Sequence, residues 1–143
     1  MIYLIGSLRN PNIPLIGARL RNAGFEVFDD WFAGGPIADD SWMEYEKLRG
    51  HDFDVALEGI AANHIFNFDK RWLDTATSGL LVLPAGRSGH LELGYLIGQG
   101  KPGYILLDNP DRWDVMYRFA TRVSYNIDTL ITELNHSWEA KVR

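Results

Sequence analysis

The sequence predicts an α/β fold in which helices cover both faces of a five-stranded parallel sheet. Three observations carry this. Short apolar runs bounded by glycine, proline or aspartate recur along the chain, as buried strands do. Segments with helical spacing separate them, and parallel strands need such crossovers. The chain of 143 residues, 46% hydrophobic and 23% charged, has the size of one core, residues 1–143 forming a single domain.

The first strand is Ile2 to Ile5, and Ile13, Ile16 and Leu20 then trace a helix stopped by Gly24. Phe25 to Phe28 is the second strand. Asp29 to Asp40, with Trp31, Phe32, Gly34, Gly35 and Pro36, reads as one long loop of the kind that forms binding lids. Ser41-Trp42-Met43-Glu44 has capping-box spacing and predicts a helix start, with Gly50 as its interruption. Asp54 to Ala76 places Leu57, Ile60, Ala61, Ile65, Phe68 and Leu73 on one side, as one long helix or two broken near Asn67. Leu80 to Leu83 is the third strand, followed by a helix from Gly89 or His90 to Gln99 that Gly100 closes. Tyr104 to Leu107 and the weaker Arg122 to Tyr125 complete the sheet, and a last helix runs from Asp128 to Lys141. The expected topology is a flavodoxin-like, Rossmann-like three-layer sandwich of order 2-1-3-4-5. Its crevice opens between the loops Gly6 to Pro11 and Pro84 to Gly89.

Composition narrows the chemistry. Without cysteine there is no disulfide framework, thiolate zinc site or cysteine nucleophile. A net charge of −5 disfavours a nucleic-acid polymer and favours a small-molecule ligand. No apolar run reaches the roughly 20 residues of a membrane span, and Met1 leads into Ile2 without a basic n-region; the expectation is no membrane association and a cytoplasmic location. His51, His64, His90 and His136 lack HxxxH or HExxH spacing, so no metal is expected; a GxSxG elbow, a Walker loop and GxGxxG are absent as well.

The run Leu80 to Tyr95 passes from a buried strand through a glycine-rich loop into an apolar helix interrupted by His90 and Glu92. A carboxylate among Leu91, Leu93, Leu96 and Ile97 must reach solvent, find a partner or sit in a cleft. Favourable interaction with the helix dipole, about 0.3–1 kcal/mol, is the competing reading. Gly6, Ser7, Arg9 and Asn10 form a loop able to cradle a phosphate or sugar hydroxyl, whereas Asn10-Pro11 equally signals a helix start. Asp69 and Asp74 precede the third strand, where acids commonly cap or face solvent. Asp29, Asp30, Asp39 and Asp40 read as an acidic patch or as loop solvation. Trp31, Phe32 and Trp42 are candidates for stacking on a ligand, set against the commoner role of aromatic residues as core.

Three parts of the chain, taken together, resemble the nucleoside 2-deoxyribosyltransferases and the related deoxynucleoside 5′-monophosphate N-glycosidases. They are Ile2-Tyr3-Leu4-Ile5-Gly6-Ser7-Leu8-Arg9; Asp69 five residues before Asp74 and ahead of Ser78-Gly79-Leu80-Leu81-Val82; and Leu91-Glu92-Leu93-Gly94-Tyr95 followed by Gly100-Lys101-Pro102. The resemblance implies a retaining reaction at C1′ of a deoxyribosyl group. In it, Glu92 is the nucleophile, Asp69 the acid that helps the base leave, and Tyr3 orients the nucleophile. It further implies no cofactor and a homo-oligomer in which a neighbour completes each site.

Gly86 stands where the transferases of that family carry a second aspartate, and Arg87, Ser88 and His90 replace their Asp-Gly-[Ser/Thr] approach. The Gly-Ser-x-Arg loop is closer to the monophosphate glycosidases, with Ser7, Arg9 and Ser88 as phosphate ligands. Transfer between bases of deoxynucleosides is the leading expectation, with substrate contacts from Gly6, Ser7, Arg9, Asn10, Gly86, Ser88 and His90. Its rivals are 5′-monophosphate hydrolysis, an NAD-cleaving enzyme of the Toll/interleukin-receptor type, and a nucleotide-sensing module without turnover.

Overall fold

A computed structural model describes residues 1–109 and 112–142, with side chains through residue 137. Five strands, β1 (Ile2–Ile5), β2 (Val27–Phe28), β3 (Ser78–Val82), β4 (Gly103–Leu106) and β5 (Arg122–Ser124), form one sheet of order β2-β1-β3-β4-β5. Every pairing is parallel, and Tyr3 lies between Phe28 and Gly79 in register. The predicted α/β class and strand order are those of the molecule. Among the described residues six α-helices accompany the sheet: α1 (Ile13–Asn22), α2 (Ala38–Leu48), α3 (Phe53–Leu57), α4 (Ile60–Thr75), α5 (Arg87–Gly98) and α6 (Ile127–Val142).

Side chains alternate along each strand, so the sheet separates two cores. Ile2, Leu4, Leu80, Val82 and Tyr104 pack with Ile13 and Leu20 of α1 and with Leu130 and Leu134 of α6. Tyr3, Ile5, Leu81 and Ile105 point the other way, onto Leu73 of α4 and onto Leu93 and Leu96 of α5. That second layer holds the candidate chemistry. Gly103 lets α5 lie close, since a Cβ there would come within 2.8 Å of Ile97.

Several boundaries differ from expectation. Helix α2 begins at Ala38, three residues before Ser41; Asp39 and Asp40 occupy its first turn, where their charge stabilises free N–H groups. The stretch from Asp29 to Asp40 is correspondingly no open loop, because Asp30–Gly34 forms a 3-10 turn and α2 takes its end. The break in the following helical segment falls at Glu58 and Gly59; Asn67 lies inside α4. Strand β2 is shorter than Phe25 to Phe28, which keeps this sheet edge brief. At the end of α2, the carboxylate of Glu46 is only 2% exposed and is met by His51 Nδ1 at 2.7 Å and Arg49 at 3.6 Å, so its burial is compensated.

Candidate active site

Three side chains from distant parts of the sequence converge on the α4/α5 side of the sheet. Tyr3 comes from β1, Asp69 from α4 and Glu92 from the second turn of α5. Gly89 sets the approach: a Cβ there would lie 3.1 Å from Leu81 and 3.3 Å from Ile5, so α5 touches β1 and β3 one turn before Glu92. Tyr3 is 1% exposed and its hydroxyl makes a polar contact with the Glu92 carboxylate.

The electrostatics follow from burial. Desolvation pushes Glu92 up to about 7, the nearby charge of Asp69 adds to that rise, and the Tyr3 hydroxyl opposes it. Desolvation alone lifts Asp69 to about 6. The Tyr3 phenol is raised far above its ordinary value by burial first and then by the charges of Glu92 and Asp69, so it stays a hydrogen-bond donor. Between about pH 6 and 7 the two carboxyls hold about one proton between them, carried mainly by Glu92; the minor form, with Glu92 ionised and Asp69 protonated, is the one able to attack and to donate. Asp74, five residues from Asp69, belongs to another network. It is exposed, bound to Lys70 at 2.8 Å, Gln99 at 3.3 Å and the Tyr95 hydroxyl, and these partners lower it to about 2.

A pocket of about 270 Å³ opens at the carboxyl ends of β1 and β3, lined by Ser7, Arg9, Asn10, Pro84, Ala85 and Gly86. Asn10 is 5% exposed; its Oδ1 accepts the Asn12 N–H at 3.0 Å, whereas its Nδ2 is buried without a partner. Asn10 thus closes a turn just before α1, whose N-cap is Asn12, while its Nδ2 stays without a partner. Ser7 Oγ accepts the Arg9 N–H at 3.1 Å. Arg9 reaches Asp40 at 2.9 Å and the Pro36 carbonyl at 3.5 Å, which ties the first loop to α2. Gly86 ends the facing loop with nothing within 4 Å of a Cβ built on it.

The other expected contacts lie apart from this pocket. Gly6 packs against Ile13, and Ser88 is exposed on the first turn of α5. His90 has both nitrogens engaged: Nδ1 donates to the Gly86 carbonyl at 2.8 Å, which leaves Nε2 to accept from the Tyr117 hydroxyl at 2.8 Å. Its ring stacks on Tyr117, so it joins α5 to the segment before β5. No family model matches the chain, and no curated protein does. Among the described residues no three His, Asp or Glu side chains gather as a metal site, and no helix is long and apolar enough to cross a membrane.

The aromatic candidates are redistributed. Trp31 Nε1 donates to the Leu4 carbonyl at 2.7 Å, Phe32 meets Trp31 edge-on, and Trp42 packs on Phe53. Instead, Tyr3 rests on Phe28 at 5.0 Å, and Phe28 stacks on Trp72 and contacts Phe68. By spacing alone Phe68 is an apolar helix position. Its adjacency to Asp69 and its i,i+4 relation to Trp72 were the available signal.

Proposed function

We propose that the protein cleaves the N-glycosidic bond of 2′-deoxynucleosides and transfers the deoxyribosyl group to another base. The observation that carries this reading is the pair of half-buried carboxyls, Glu92 and Asp69, gathered around the Tyr3 hydroxyl and raised to about 7 and about 6. Ionised Glu92 attacks C1′; as the C–O bond forms, the C1′–N bond breaks and its electron pair leaves with the base, which takes the proton of Asp69. A ring nitrogen of the incoming base then attacks C1′, releases Glu92 and returns its proton to Asp69. Tyr3 holds the nucleophile and stabilises its anionic form before attack and after release.

Gly86, the residue just before α5, and Glu92 within it are six residues apart, about 9 Å along the helix axis. A pentose lying over Glu92 would direct its 5′ substituent toward the pocket that Gly86 shares with Ser7 and Asn10. The unpartnered Asn10 Nδ2 and the nearby Arg9 favour a second reading, hydrolysis of deoxynucleoside 5′-monophosphates, in which the pocket takes the phosphate.

The protein is further proposed to act as a homo-oligomer. From Ile60 to Phe68, α4 carries no Asp, Glu, Lys or Arg, yet Ile60, Ile65 and Phe66 are exposed. In a chain of net charge −5, this face is where two copies meet with least repulsion.

The test is chromatography of free base and exchanged nucleoside after incubation with deoxynucleosides or their monophosphates, with and without an acceptor base. Exchange that needs the acceptor supports transfer, and release without it supports hydrolysis. Wild-type turnover in Glu92→Ala would sink both.

A further inference from the structure

We infer that Phe68 is the platform on which the departing nucleobase stacks, holding the base edge toward Asp69. The inference rests on the glycosidic reading above for the identity of the ligand, and on the aromatic column for its place.

Phe68 precedes Asp69 on α4 and is 47% exposed. Its ring meets that of Phe28 obliquely, with centroids 5.9 Å apart and an interplanar angle of 55°. Phe28 is fully packed: it is 4% exposed, stacks on Trp72 at 5.2 Å and contacts Tyr3 at 5.0 Å. Tyr3 in turn meets Glu92. A continuous aromatic column thus runs from the nucleophile, through the buried floor, to a half-free ring beside the acid.

Other exposed apolar residues on α4 do not share this position. Phe66 is 61% exposed and is in no aromatic pair among the described residues, and Ile60 and Ile65 have no π-face. Of the tryptophans between β2 and α3, Trp31 donates to the Leu4 carbonyl and Trp42 meets Phe53 edge-on. A half-exposed ring already in contact with a packed one loses little freedom when a flat heterocycle covers it, which is what favours stacking. Stacking there also sets the plane of the base, so that a ring nitrogen or carbonyl at its edge reaches the Asp69 carboxyl. Because every base has a π-face, the platform tolerates different bases, and the wider purines gain most.

The experiment measures binding of free adenine, hypoxanthine and thymine to the full chain by titration calorimetry, alongside kcat/KM for base release. Phe68→Leu keeps an apolar contact with Phe28 and removes the π-face. It is expected to weaken base binding by about 5- to 150-fold, more for purines than for thymine, with Phe68→Tyr restoring it. Phe119→Leu, at an exposed ring on another element, leaves base binding unchanged. Unaltered affinity in Phe68→Leu, equal losses in Phe68→Leu and Phe119→Leu, or no binding of any base to the wild-type chain overturns the platform. If bases bind through Phe68 but no deoxyribosyl compound is turned over, the platform stands and the glycosidic reading falls.

Discussion

Tyr3 and Glu92 meet across the boundary between sheet and helix, a phenol from the centre of β1 supporting a carboxylate from α5 in a setting that excludes most solvent. Burial and the charge of Asp69 favour the protonated form of Glu92; the Tyr3 hydroxyl favours the ionised one. Tyr3→Phe is therefore expected to move the Glu92 pKa upward, shifting the acid limb of the pH–rate profile to higher pH. Loss of a hydrogen bond to a charged group would lower kcat/KM at pH 6.5 by about 10- to 100-fold. An unshifted acid limb would show that Tyr3 does not control the nucleophile.

The dyad itself predicts a bell-shaped profile. Below about 6 both carboxyls are protonated and no nucleophile is present; above about 7 both are ionised and no acid remains. Asp69→Asn leaves Glu92 as the one titrating carboxyl of the pair, so the basic limb disappears and a single acid limb set by Glu92, at or below about 7, remains. Turnover of ordinary deoxynucleosides falls by roughly 10²–10⁴-fold. A 7-methylated purine deoxynucleoside, whose base departs neutral without a proton, is expected to keep most of its rate in the same variant. Equal losses for both substrates would remove Asp69 from the acid role.

The sheet was legible in the sequence because parallel strands are buried on both faces and leave uninterrupted apolar runs, as at Leu80 to Leu83. Glu92 was legible because one carboxylate in an apolar helix is conspicuous. The start of α2 was not, since Ser41 and Glu44 have the spacing of a cap while Asp39 and Asp40 extend the helix upstream of them. His90 sat next to the glycine-rich loop and read as a ligand contact, but its second partner, Tyr117, is 27 residues away and no local pattern announces it. Phe68 was hidden for the same reason: its meaning depends on Phe28, forty residues earlier, on a different element.

The uncharged stretch of α4 gives a prediction about assembly. The wild-type chain is expected to sediment as a dimer or larger at micromolar concentration. Phe66→Asp places a charge on an exposed position, so the fold persists while association weakens by about tenfold or more. Circular dichroism checks the fold, and sedimentation velocity the mass. A wild-type monomer throughout the micromolar range would rule out this face as a stable contact between copies.

Glu92 also leaves a signature in stability. Its folded pKa, about 7, lies above the ordinary glutamate value, so the native state binds a proton that the unfolded chain has already lost between roughly pH 4.5 and 7. Stability from this group consequently falls as pH rises through that window, and above it the full cost of a buried charge is present. Glu92→Gln cannot ionise and escapes that cost. The variant is expected to be inactive yet more stable than wild type at pH 8 by about 2 kcal/mol, with the difference shrinking toward zero near pH 4. Denaturant melts of both proteins at the two pH values measure this. A Glu92→Gln variant less stable than wild type at pH 8 would mean that the carboxylate is held by stabilising partners, and that its raised pKa does not describe the folded site.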